Sequence, residues 1–77
     1  MKLVEHQRKI NVLKPLAIYV YDDKSKLDKL EGVNVFEGEC AGLKHKITRD
    51  EWDKLLELEV ASTNDYFGIQ VVRLVKE

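Results

Sequence analysis

Ile47-Thr48-Arg49-Asp50-Glu51-Trp52-Asp53-Lys54-Leu55-Leu56-Glu57-Leu58-Glu59-Val60 reads as one capped amphipathic helix, and the expected fold is built around it. Thr48 suits the N-cap, where its hydroxyl accepts from an orphan backbone N–H of the first turn. Glu51, three residues on, can accept from the Thr48 N–H and complete a capping box; Ile47 and Trp52 occupy the two positions of a hydrophobic staple. Asp50 and Glu51 fall where the helix dipole favours negative charge. Trp52, Leu55, Leu56 and Val60 share one face, which reads as a core face and not as a ligand platform. Asp50 and Lys54 form an i,i+4 pair. Ala61-Ser62-Thr63-Asn64-Asp65 is expected to end the helix in a turn.

Before this helix, Leu16-Ala17-Ile18-Tyr19-Val20-Tyr21 is the strongest strand. Leu16, Ile18 and Val20 alternate with Ala17, Tyr19 and Tyr21, and both sets are apolar or aromatic, as an inner strand requires. Arg8–Lys14 alternates loosely and predicts a short entering strand, closed off by Pro15. Ser25–Glu31 predicts two helical turns, with Ser25 as cap and Gly32 at C′. Val33–Glu37 and Cys40–Ile47 predict two strands joined by a hairpin turn near Gly38-Glu39. In the second of these, Lys44 and Lys46 share a face. Tyr66–Val75 predicts a long closing strand.

The expectation is therefore an α+β fold: a small, mostly antiparallel sheet of four to five strands, with one main capped helix packed on it. From residue 16 the element order is βαββαβ, the ferredoxin-like order. Seventy-seven residues make one domain with a small core.

Composition excludes several classes. No apolar run approaches the length of a membrane span, so no membrane partner is expected. No signal peptide is visible at the N-terminus, and one cysteine makes no disulfide framework, so the expected setting is cytoplasmic. The net charge of −1 hides an asymmetry: seven Lys/Arg against four Asp/Glu in residues 1–30, and two against six in residues 48–65. Two solvated faces are the plain reading of this asymmetry; opposite poles that steer association are the other.

No enzymatic signature emerges. Cys40 and His45 lack zinc-type spacing, and no metal or cofactor is expected. On a regular strand the two would also point to opposite faces, too far apart for a nucleophile–base pair. No nucleophile elbow, phosphate loop or Gly-x-Gly-x-x-Gly occurs.

Ile18-Tyr19-Val20-Tyr21-Asp22 resembles the RNP2 segment of RNA-recognition motifs, with Asp22 where Asn is usual. That resemblance implies a base-stacking platform at Tyr19 and Tyr21, with Lys44 and Lys46 on phosphates. It covers about six residues, and the strand expected from Cys40 to Ile47 has none of the aromatics of RNP1. In size and composition the chain resembles small accessory proteins of bacteria and phages, some of them inhibitors of larger complexes.

The expected function is a non-catalytic interaction module that binds another protein, in the manner of an accessory, regulator or inhibitor. Tyr19 and Tyr21 are its expected anchors, and Asp50, Asp53 and Glu57 on the helix supply rim charge. The alternative is single-stranded RNA or DNA binding. A homodimer is a secondary expectation, because a small sheet with an apolar second face gains core by pairing.

Overall fold

The computed structural model describes residues 1–28 and 32–76. The helices are α1 Leu3–His6, α2 Ser25–Asp28, α3 Leu43–Lys46 and α4 Arg49–Leu56; the strands are β1 Pro15–Tyr21, β2 Val33–Glu39, β3 Glu59–Tyr66 and β4 Ile69–Val75. The architecture is a small α+β fold with a four-stranded mixed sheet and a few short helices. Strand order is β2-β1-β4-β3. β1 runs antiparallel to β2 and parallel to β4, and β4 runs antiparallel to β3.

β1 takes an inner position, as its two apolar faces demand. Leu16 and Ile18 are fully buried on one face, and Ala17 and Tyr21 are 2% exposed on the other. Pro15 is the first residue of the strand, where its missing N–H breaks no central ladder. The helical layer covers the Leu16, Ile18 and Val20 face. Leu3 and Ile47 complete the buried cluster with Phe36, Val72 and Leu74; Leu43, Trp52, Leu55 and Leu56 pack against it.

The cap at Thr48 forms as the sequence predicts. The Glu51 N–H donates to Thr48 Oγ1, and the Thr48 N–H donates to Glu51 Oε1, each at 3.2 Å. The helix itself is short, eight residues, and ends at Leu56. Val60 is therefore not on a helix face, and Ala61–Asp65 is not a turn: both belong to β3. The outer hydrogen-bonding groups of β4 need partners, and this polar segment supplies them as an edge strand.

Residues 40–46 are helical, Ile47 caps the last turn in an extended conformation, and no strand forms here. A 3-10 turn at Cys40–Gly42 leads into α3, and the Ile47 N–H donates to the Leu43 carbonyl at 2.8 Å. Leu43 and Ile47 stand at i and i+4, a spacing that five residues of apparent alternation do not distinguish from a strand. Gly38 sits inside β2 opposite Leu16, so no hairpin turn occurs there.

The ferredoxin-like order is absent as well, because β3 and β4 form a hairpin with no helix between them. The expected single strand Tyr66–Val75 is broken by a two-residue turn, Phe67-Gly68. Residues 8–14 do not join the sheet. The Asn11 N–H is taken by the Gln70 side chain at 2.7 Å, and Val12 and Leu13 lie exposed.

Asp23, not Ser25, caps α2; its carboxylate accepts from the Ser25 and Lys26 N–H groups at 2.9 and 3.2 Å. The rest of that expected helix, residues 29–31, lies outside the described residues. Whether or not it follows a helix, Gly32 is required by its close approach to β1. A Cβ added there would stand 2.5 Å from the Tyr21 ring.

Candidate functional site

The sheet face turned away from α1, α3 and α4 carries the candidate site. Alternation along β1 puts Ala17, Tyr19 and Tyr21 there. The parallel register sets Tyr19 beside Arg73 and Ala17 beside Val71, and β3 adds Asn64 opposite Val71 and Tyr66 opposite Ile69. Tyr19, Tyr21, Asn64, Tyr66, Val71 and Arg73 together line a concavity of about 480 Å³. Tyr21 is buried with its ring against Gly32, so it forms a wall of this concavity and is no free anchor. Tyr19 is half-buried, whereas Tyr66 is 65% exposed.

Arg73 is the charged centre of this surface. A cation on an inner strand is unusual, since such strands are apolar on both faces. Among the described residues no carboxylate lies within ion-pair distance of it. With the Asn64 amide oriented to satisfy both its ends, its oxygen accepts from Arg73 Nη1 at 3.0 Å. Arg73 Nε is buried and has no hydrogen-bond partner among the described residues. An orphaned buried donor costs about 1–3 kcal/mol, more when charged. Glu37 and Glu39, opposite Ala17 and Pro15, make the β2 side of this face acidic.

One end of the sheet adds exposed apolar groups. Phe67 holds φ 52° in the hairpin turn, followed by Gly68 at φ 83°. Two positive φ values are the pattern of a type I′ turn, in which Asn-Gly is the usual pair. Phe67 is 92% exposed, and its ring meets Tyr66 edge-on at 4.9 Å. The Asp65 carboxylate accepts from the Gly68 N–H at 3.0 Å and steadies the turn.

The loop before β1 is tied to the same end. Gln70 Nε2 donates to the Asn11 carbonyl at 2.7 Å, and Lys14 Nζ meets Asp65 Oδ2 at 3.0 Å. The loop tip, Val12 at 71% and Leu13 at 86% exposure, therefore stands at the hairpin end of the sheet.

The other expected site residues lie elsewhere. Lys44 and Lys46 are exposed on α3, in the layer across the sheet from Tyr19. Asp50, Asp53 and Glu57 are exposed at α4, but Asp53 pairs with Arg49 at 3.3 Å and Glu57 with Lys2 at 3.0 Å. The expected Asp50–Lys54 pair is not among the ion pairs of the described residues. The structure thus keeps Tyr19 and Tyr21 together and separates both from the lysines and the acidic helix.

Arg73, Tyr66, Asn64 and Phe67 escaped sequence reasoning. A lone arginine inside the apolar run Ile69–Val75 was the available signal for the first, and Asp65 three residues before Gly68 was the signal for the hairpin.

Cys40 and His6 lie away from this face. The Cys40 thiol donates to the Lys14 carbonyl at 3.5 Å, and its pKa is pushed up by burial and then by Glu39. The His6 pKa is lowered by burial and then by Lys9, and its Nδ1 is buried without a partner among the described residues. No group of three or more His, Cys, Asp or Glu side chains is arranged to hold a metal among the described residues. No helix there is long and apolar enough to cross a membrane. The chain matches no protein-family model, no curated protein and no solved structure.

Proposed function

We propose that this chain is a non-catalytic interaction module that binds another protein through the open sheet face and its hairpin end. The carrying observation is Phe67, a large apolar side chain placed 92% exposed at a backbone conformation that disfavours it. A left-handed conformation costs a non-glycine residue roughly 1–2 kcal/mol. Exposure leaves the ring's hydrophobic free energy unrealised as well. A partner that covers Phe67 recovers that second term. Tyr66, Tyr19 and Arg73 supply the residue types that dominate interface energetics.

Less supports the single-stranded nucleic-acid reading. Tyr21 is buried, Lys44 and Lys46 are across the sheet, and Glu37 and Glu39 border the face where phosphates would run.

The test is affinity capture from source lysate with the wild-type chain and with Phe67→Asn, each with and without nuclease. The expected result is a stoichiometric protein held by the wild type after nuclease and lost with the variant. Equal capture by both chains, or recovery abolished by nuclease, would overturn the proposal.

A further inference from the structure

The geometry points to a specific requirement on the partner: an extended peptide segment presenting an Asp or Glu carboxylate to Arg73, with apolar side chains on Tyr19 and Tyr66. This rests on the interaction-module reading and names the chemistry of its ligand.

Among the described residues, Arg73 is a half-buried guanidinium without an ion pair, and its buried Nε has no hydrogen-bond partner. Asn64 takes one Nη1 hydrogen and Nε is closed off by burial, so the remaining Nη hydrogens are the ones an incoming acceptor would meet. A planar guanidinium meets a carboxylate through two parallel N–H···O bonds, a geometry that adds both strength and selectivity. Tyr19 beside it and Tyr66 at the end of β3 line the same concavity and give the flanking residues aromatic surface.

Charge complementarity separates a peptide carboxylate from a nucleic-acid phosphate. A carboxylate arrives singly, whereas a nucleic-acid backbone brings a row of charges past Glu37 and Glu39.

Area separates a peptide from a second copy. Four strands of about seven residues span about 19 Å by 23 Å, on the order of 450 Å², and less than that is open, because Ala17, Tyr21 and Val75 on this face are buried. A stable protein interface takes about 800 Å² per partner. The face is the size for one extended segment, not for a second copy's sheet.

The test pans a displayed random-peptide library against the immobilised chain. A synthetic consensus peptide is then titrated by calorimetry against wild type, Arg73→Gln and Arg73→Lys, and an oligo-dT probe at low salt is run in parallel. The expected peptides share an acidic position beside an apolar one. Replacing that acid by its amide, or Arg73 by Gln, weakens binding about tenfold or more, and the two losses do not add. Arg73→Lys recovers only part of the affinity.

The amide peptide needs no protein variant, so the test holds even if Arg73→Gln does not fold. Peptides lacking an acidic position, or binding that survives the amide exchange, overturn the carboxylate requirement. If such peptides still compete with the captured protein, the interaction reading stands without it. An empty selection, or oligo-dT bound tightly through Arg73, also overturns the requirement. Self-association abolished by Arg73→Gln would do the same by naming a second copy as the occupant.

Discussion

Lys14 Nζ and Asp65 Oδ2 meet at 3.0 Å across fifty-one positions of sequence, and this pair fastens the loop before β1 to the β3–β4 hairpin. Both side chains are about half exposed, so the ion pair itself contributes little. Asp65 does a second job by accepting from the Gly68 N–H. Asp65→Ala is therefore expected to lower the thermal midpoint more than Lys14→Ala, since only the first loses both contacts. Equal losses would show that the turn bond is idle. Thermal melts of the two variants side by side decide it.

Phe67→Asn is expected to stabilise the chain by about 1 kcal/mol, because Asn tolerates the left-handed conformation that Phe resists. The same change removes the exposed ring and should weaken partner capture. Urea unfolding measures the first effect. A variant that is less stable than wild type would mean that the Tyr66–Phe67 contact outweighs the backbone term.

Gly32→Ala is expected to destabilise by roughly 1–3 kcal/mol, the usual range for overpacking. The added methyl would fall 2.5 Å from the Tyr21 ring, which is itself 2% exposed and has little room to move. Pairing it with Tyr21→Leu should recover part of the loss. No recovery in that double variant would place the strain in the backbone and not at the ring.

Acid should act in two windows. His6 is held below its ordinary value by burial and then by Lys9, so the fold favours its neutral form. Its contribution is complete above about pH 6.5 and is lost as pH falls through the lower folded value. Four carboxylates are held low: Asp23 by the Ser25 hydroxyl, Glu51 by the Thr48 N–H, Glu59 by the terminal amine and Asp65 by Lys14. Their contributions persist to more acidic conditions and disappear below about pH 4.5. Melts from pH 8 to pH 3 should show both steps, and His6→Gln should flatten only the upper one.

Cys40 should alkylate more slowly at pH 8 than a free thiol, since burial raises its pKa and the thiolate is the reacting form. Faster labelling than a model thiol would revive an enzymatic role.

The parts of the fold that were legible in the sequence have local causes. The capping box needs only Thr48 and Glu51 three residues apart, and β1 announces itself through two apolar faces. β3 was not legible, because an edge strand tolerates Ser62-Thr63-Asn64-Asp65, residues that equally well describe a turn. α3 was lost because Leu43 and Ile47, four residues apart, share a face in a strand and in a helix alike. Of the candidate site, Tyr19 could be read from its own strand. Arg73 could not be placed beside it, because the parallel register that joins them links residues fifty-four positions apart.

That parallel register also governs how the sheet assembles. The antiparallel pairs β1–β2 and β3–β4 each join neighbouring segments of chain, while the β1–β4 seam joins distant ones. Loop-closure entropy must be overcome before that seam gains its contacts, which places this small domain among slow folders for its length. The candidate site lies astride the seam, with Tyr19 on one side and Arg73 on the other. Binding competence therefore requires this seam to be formed, and a ligand held by both residues would slow unfolding at the place where the two halves part.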